Sequence, residues 1–215
     1  MIPWLDPGKP PRFPDTSSAL NDPNGLLAAG GRLDVEWLLV AYRQGIFPWF
    51  AENEPIMWWS PAPRTVLLPQ NFHASNSLRK LERQKRYRIT QDQDFSSVIK
   101  SCALSRVNQT GTWIIDAMIN AYVALYEAGL AHSVECWDGE NRLVGGLYGV
   151  SLGKVFFGES MFSLVSNASK LCLKFLVDSE VYALIDCQLP TDHLASLGAK
   201  EMTRIEFESL LNRLV

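Results

Sequence analysis

The sequence predicts an α+β protein whose central sheet is mostly antiparallel. Three observations carry that expectation. The runs AHSVECW, RLVGGLYGVSL and KVFFGES follow one another and are joined by the turn sequences DGEN and LGK, the pattern of an antiparallel meander. Around them lie stretches with apolar residues at helical spacing, clearest in Ala117, Ile119, Ala121, Tyr122, Leu125 and Tyr126. The start of the chain is instead broken by Pro and Gly. This sets off a small N-terminal domain, residues 1–63, from a larger one, residues 64–215.

Taken in order, residues 1 to about 32 favour loops and turns, as in DPGKPPRFPD, NDPNG and AAGGR. A first helix follows, with Asp34 as its cap, Trp37, Leu38, Leu39 and Tyr42 as its apolar face, and Gly45 at a left-handed stop. The prolines in GIFPWFAENEPIMWWSPAPR exclude a periodic helix there. The larger domain opens with a strand, TVLLP, then a helix from Ser75 to Lys85 and a strand, YRIT. Helices are expected at 94–104 and 115–128, then the meander, then a helix from Asn167 to Ser179. Val181 to Ile185 reads as a buried strand ending at Asp186, and a last helix runs from Arg204 to Leu214.

At 215 residues, with 47% hydrophobic and 20% charged residues, the chain can bury a full core, which excludes disorder and fibrous classes. A net charge of −3 excludes a protein that is basic all over but leaves room for a local basic patch. Cys102, Cys136, Cys172 and Cys187 form no CxxC pair, and His73, His132 and His193 have no ligand spacing. Neither metal, other cofactor nor disulfide framework is expected. With no signal-like start and no apolar run of about 18 residues, the expectation is a cytoplasmic protein that does not engage the membrane, and with no reason in the sequence to expect a dimer, a monomer.

Four features are candidates for chemistry. Arg79, Lys80, Arg83, Lys85, Arg86 and Arg88 fall within ten residues. Such a run attracts phosphates in a salt-sensitive way, or else forms a solvated helix face. Among the seven tryptophans, Trp49 and Trp113 have loop-like neighbours and suit stacking on unpaired bases, whereas Trp58 and Trp59 suit the core. Glu159 interrupts the apolar run VFFGESMFS, where a carboxylate needs a cation or several donors: an arginine of the same domain, or a ligand. Asp186 and Gln188 fall where a strand ends, a position that either carries a site or ties down a loop. Asp192 and His193 fit loop stabilisation or a part in the chemistry.

In order along the chain, DPNGLLAAGG, GIFPWF, WWSPAPR, GTWI, AHSVE, LVGGLYGV, GESMFS, NASK and LIDCQ with DHLASLGA resemble the bacterial leucyl/phenylalanyl-tRNA–protein transferases. The resemblance spans about Asn21 to Ala199. It implies a small N-terminal domain followed by one of the GCN5-related acyltransferase fold. The implied activity moves Leu or Phe, less readily Met, from aminoacyl-tRNA to the α-amino group of proteins beginning with Arg or Lys, which marks them for degradation by the N-end rule. It further implies that Trp49 and Trp113 hold the terminal adenosine and that the basic run faces the acceptor stem. Phe156, Met161, Ile185, Leu147 and Leu176 would line the aminoacyl pocket, and Glu159, Asp186 and Gln188 would be the catalytic and acceptor-binding residues. Leu147 and Leu176 stand where bulkier or sulfur-containing side chains are common, and Ile115 where a polar residue is common. These departures leave the choice between Leu and Phe open.

Two rivals are distinguishable on sequence. An acyl-coenzyme-A-dependent N-acyltransferase of the same fold class would carry a Q/R-x-x-G-x-G/A phosphate cradle before a helix, where this chain has FSLVSNAS. A tRNA-binding module without turnover would use the same cations and tryptophans. It would have no need of Glu159, Asp186 and Gln188 together.

Overall fold

A computed structural model of the chain describes residues 2–107 and 114–215. The N-terminal part is not all loop: β1 (Trp4–Leu5), β2 (Leu26–Gly30), β3 (Phe47–Pro48) and β4 (Met57–Trp59) form a four-stranded sheet in the order β1-β2-β4-β3. These strands span two to five residues, too few for alternation to show in sequence. Between β2 and β3 lies α1 (Val35–Arg43), where the Asp34 side chain accepts from the Trp37 N–H and Gly45 adopts φ +70° just past the end, as expected. Trp58 is wholly buried, stacks near Trp37 and donates its indole N–H to the Gly30 carbonyl at 2.9 Å.

The larger part runs β5 (Arg64–Leu67), α2 (Asn76–Arg83), β6 (Arg88–Gln91), α3 (Phe95–Val107), α4 (Asp116–Glu127), β7 (Ala131–Trp137), β8 (Leu143–Leu152) and β9 (Val155–Ser163). It continues with α5 (Ala168–Asp178), β10 (Leu184–Gln188), α6 (Asp192–Ser196), β11 (Lys200–Met202) and α7 (Arg204–Leu214). The strands make a second sheet in the order β11-β5-β10-β9-β8-β7-β6. Its pairings are antiparallel except β9 with β10, which run parallel because α5 supplies the crossover between them. The fold is thus α+β, a small N-terminal domain with a GCN5-related acyltransferase-like domain around a mostly antiparallel sheet.

Both faces of this sheet are covered. α1, α3 and α4 share one core with Tyr148, Phe157 and the tryptophans of the small sheet. On the other face, α2 and α5 cover Val134, Leu147, Phe156 and Ile185. Burial on both faces explains why the β8 segment reads as an almost continuous apolar run.

One strand boundary corrects the sequence expectation. β10 begins three residues later than its β-branched start suggests, because Glu180 takes φ +56° and Val181 is 55% exposed. Asp186 therefore lies inside the strand, hydrogen-bonded between β5 and β9, rather than at its edge. The register slips between Asp186 and Gln188, and Gln188 adopts φ +64°, a bulge that turns the end of the strand.

Candidate active site

The parallel ladder of β9 and β10 runs from Leu184 opposite Val155 to Asp186 opposite Phe157. Beyond it the next residues of the two strands, Gly158 to Glu159 and Cys187 to Gln188, border a cavity of about 800 Å³. That volume suits a ligand larger than one amino-acid side chain. Leu147, Phe156, Met161 and Ile185 line it, Glu159, Asp186 and Gln188 supply polar groups, and Trp49 and Trp59 stand at the side of the small sheet.

Asp186 is completely buried and forms a two-pronged pair with Arg64, Nε to Oδ1 at 2.8 Å and Nη2 to Oδ2 at 2.7 Å. The guanidinium lies between two rings, Phe47 at 4.9 Å and Phe207 at 4.8 Å. A buried carboxylate is tolerable only with such a partner. Asp186 thus already holds a cation of the protein. Its Oδ1 also accepts the Gln188 backbone N–H at 3.0 Å, which fixes the bulge.

Glu159 is 6% exposed and accepts three hydrogen bonds: Tyr42 Oη at 2.7 Å, Tyr122 Oη at 2.8 Å and the Gln188 carboxamide N–H at 2.9 Å. Of the partners open to it in sequence, a cation or several donors, the structure supplies several neutral donors. Burial pushes its carboxyl up to about 7, the three donors and the charge of Asp186 being smaller influences. Burial and the neighbouring Glu159 push both phenols well above the ordinary tyrosine range, so they stay neutral donors. A carboxylate can only accept, so the Gln188 amide must turn its NH₂ toward Glu159 and its oxygen away.

Other expected residues fall as follows. Trp49 is 40% exposed, and its carbonyl accepts from the indole of Trp59 at 2.6 Å. Trp113 lies outside the described residues. Leu176 is in the core beneath α5, and Leu173, three positions earlier on the same helical face, lines the cavity in its place. Arg79, Lys80, Arg83, Lys85, Arg86 and Arg88 are all exposed, on α2 and the turn into β6. Among the described residues none of the six joins an ion pair with an acid. Arg88 is partly engaged, donating to Gln93 and Asn141 and covering the Trp137 ring. His193 borders the cavity from α6 and Asp192 does not.

Arg64, Tyr42, Tyr122 and Leu173 were not singled out by sequence reasoning. Helical periodicity counts the tyrosines as apolar. Their signal was the hydroxyl, which needs a partner when a tyrosine is buried on a core-facing stripe. Arg64 opens an apolar strand, the same kind of signal.

Comparison with known proteins fits this geometry. A family model described as leucyl/phenylalanyl-tRNA protein transferase matches residues 66–212, and one for the N-terminal domain of the same family matches residues 31–62. The chain is similar to a Pseudomonas fluorescens (strain Pf0-1) protein named leucyl/phenylalanyl-tRNA–protein transferase, with 54% identity over 99% of this chain and 95% of the relative. A Cellvibrio japonicus (strain Ueda107) protein of the same name is 54% identical over 98% of this chain and 90% of its own length. One from Ectopseudomonas mendocina (strain ymp) is 53% identical over 99% and 95%. The chain therefore belongs to the leucyl/phenylalanyl-tRNA protein transferase family, and it is an enzyme of that family.

Proposed function

We propose that this enzyme transfers Leu or Phe, and less readily Met, from aminoacyl-tRNA to the α-amino group of proteins beginning with Arg or Lys, marking them for N-end rule degradation. The observation that carries the reading is the meeting of Glu159 and Gln188 at one wall of an apolar cavity with an exposed tryptophan across from it. In this reading Leu147, Phe156, Met161, Leu173 and Ile185 receive the aminoacyl side chain. Trp49, with Trp113, stacks on the terminal adenosine, and the six cations from Arg79 to Arg88 meet the acceptor-stem phosphates. Residues 1–63 then act as the adenosine-side domain and residues 64–215 as the catalytic domain, in a cytoplasmic monomer.

The chemistry asks little of the protein beyond placement. The ester of an aminoacyl-tRNA is already activated, and an α-amino group with a pKa of about 7.7–8.0 is in part neutral at physiological pH. Gln188 accepts a hydrogen bond from that amine and aims its lone pair at the ester carbonyl. An amide oxygen is too weakly basic to take the proton outright, so its contribution is orientation. Asp186 with Arg64 holds the Gln188 backbone, and Glu159 holds its side chain. The carboxylate of Glu54 at the cavity wall favours a cationic acceptor.

The test is incubation with labelled leucyl-tRNA and peptides that begin with Arg or with Ala. Label in the Arg peptide alone is the expected result. Retention of tRNA without transfer would support a binding module instead, and consumption of acetyl-coenzyme A would support the N-acyltransferase rival.

A further inference from the structure

The four oxygens of Tyr42, Tyr122 and Glu159 behind Gln188 form a closed ring. Tyr42 Oη lies 2.7 Å from Glu159 Oε1, Tyr122 Oη lies 2.8 Å from Glu159 Oε2, and the two phenol oxygens are 2.5 Å apart. Each approach is short enough to need a proton between its oxygens. Two phenols supply two protons for three such approaches. With Glu159 ionised, one of them has none; with Glu159 protonated, every one is filled. Any proton the carboxyl binds is therefore taken up inside the ring, where Tyr122 accepts it from Oε2. Oε1 then remains an acceptor toward the Gln188 N–H.

We infer that Tyr42 and Tyr122 are positioning residues for the transfer, binding Glu159 in a ring that keeps the Gln188 carboxamide oxygen turned toward the acceptor amine whether or not Glu159 carries a proton. The inference rests on the proposed role of Gln188 as acceptor of that amine. It follows from what happens without the hydroxyls. A protonated Glu159 flanked by two phenylalanines would have the Gln188 oxygen as its acceptor, and the amide would turn over and present NH₂ to the incoming amine. The groups facing Glu159 are Tyr42 from α1, Tyr122 from α4, and Asp186 with Gln188 from β10, and Tyr148 of β8 lies against Tyr122. Asp186 is held by Arg64.

Tyr42→Phe, Tyr122→Phe and the double variant test the inference through the ratio of variant to wild-type kcat, measured against pH with the same acceptor peptide. The titration of the amine cancels in that ratio. Tyr42→Phe keeps Tyr122 to accept the proton from Oε2 and is expected to lose little, whereas Tyr122→Phe leaves only Tyr42, which faces the Oε1 that serves Gln188, and is expected to fall between it and the double variant. The double variant is expected to lose roughly 10- to 100-fold at pH below about 7, to recover as pH rises, and to keep its affinity for tRNA. A ratio that does not change with pH would mark a merely structural loss and overturn the inference, as would a double variant with full activity.

Should the double variant not fold, Glu159→Gln and Glu159→Ala carry the same question. A glutamine here gives its N–H to Tyr122 and keeps an oxygen toward Gln188, so it is expected to retain transfer that the alanine loses. Equal loss in both would overturn the inference. The infrared carbonyl band of protonated Glu159, identified by its disappearance in Glu159→Gln, separates this claim from the proposed function. In the free single variants its midpoint should move away from the wild-type value. A wild type without transfer but with that movement would count against the proposed function alone, and an unmoved band would refute the ring.

Discussion

Glu159 carries the clearest energetic signature at the level of single residues. In the folded chain its carboxyl holds a proton up to about pH 7, against an ordinary value of 4.5. The folded state therefore binds that proton more tightly than the unfolded state. Its contribution to stability is greatest below about pH 4.5, declines as pH rises toward about 7 and is level above that. The span is on the order of 3 kcal/mol. Denaturant unfolding of wild type and Glu159→Gln between about pH 5 and 8 should show this slope in the wild type and its loss in the variant. Asp186 behaves differently because it has a full counter-charge. Asp186→Ala leaves the Arg64 guanidinium buried and unpaired, a cost of about 3–5 kcal/mol, and also frees the Gln188 bulge. It should lose far more transfer activity than His193→Ala, whose side chain is exposed at the cavity border. Equal losses in the transfer assay would show that the buried pair does not serve the reaction.

At the level of elements, the cavity exists because β9 and β10 stay paired only as far as Phe157 and Asp186. β8 controls that point from the other side. Its register against β9 shifts between Tyr148 and Gly149, and a Cβ on Gly149 would stand 2.1 Å from the Phe157 carbonyl oxygen and 2.7 Å from the Phe156 ring. Gly149→Ala should push β9 outward just ahead of Glu159, destabilising the fold by on the order of 1–3 kcal/mol in thermal unfolding and raising KM for aminoacyl-tRNA. The pocket walls come from β8, β9 and β10, strands covered on both faces, and from α5 packed on them, so they cannot give way cheaply. A β-branched side chain should therefore be rejected at a cost of about 1–3 kcal/mol, read as poor transfer from isoleucyl-tRNA beside leucyl-tRNA. The long elements were legible in sequence because β7 to β9 carry turn signals and α4 and α7 repeat over several turns. The small sheet was not, since strands such as Phe47–Pro48 are held by pairing and by the tryptophans rather than by their own pattern. The same limit applies to Leu173 and Leu176: periodicity puts both on the inner face of α5, and only the tertiary position of the cavity separates them.

For the whole molecule, a net charge of −3 coexists with six exposed cations between Arg79 and Arg88, so the surface is polarised. If that face meets acceptor-stem phosphates, replacing Arg79, Lys80 and Arg83 together by Glu should weaken tRNA binding. The log–log salt dependence should flatten by about one unit of slope for each phosphate no longer neutralised. The rate at saturating tRNA should not change, which filter binding and transfer kinetics over a salt series will check. Of the site, the sequence made legible the residues that break an apolar pattern: Glu159, Asp186 and Gln188. It hid those that satisfy them, because Arg64, Tyr42 and Tyr122 lie 122, 117 and 37 positions from their carboxylates.

The Arg64 guanidinium sits between a ring at position 47 and a ring at position 207, and grips a carboxylate at 186. During translation, nascent chains whose residues 204–214 are still inside the ribosome lack one side of that clamp. The clamp on the Asp186 pair, and with it the Gln188 bulge, should thus be completed only when that segment has packed back.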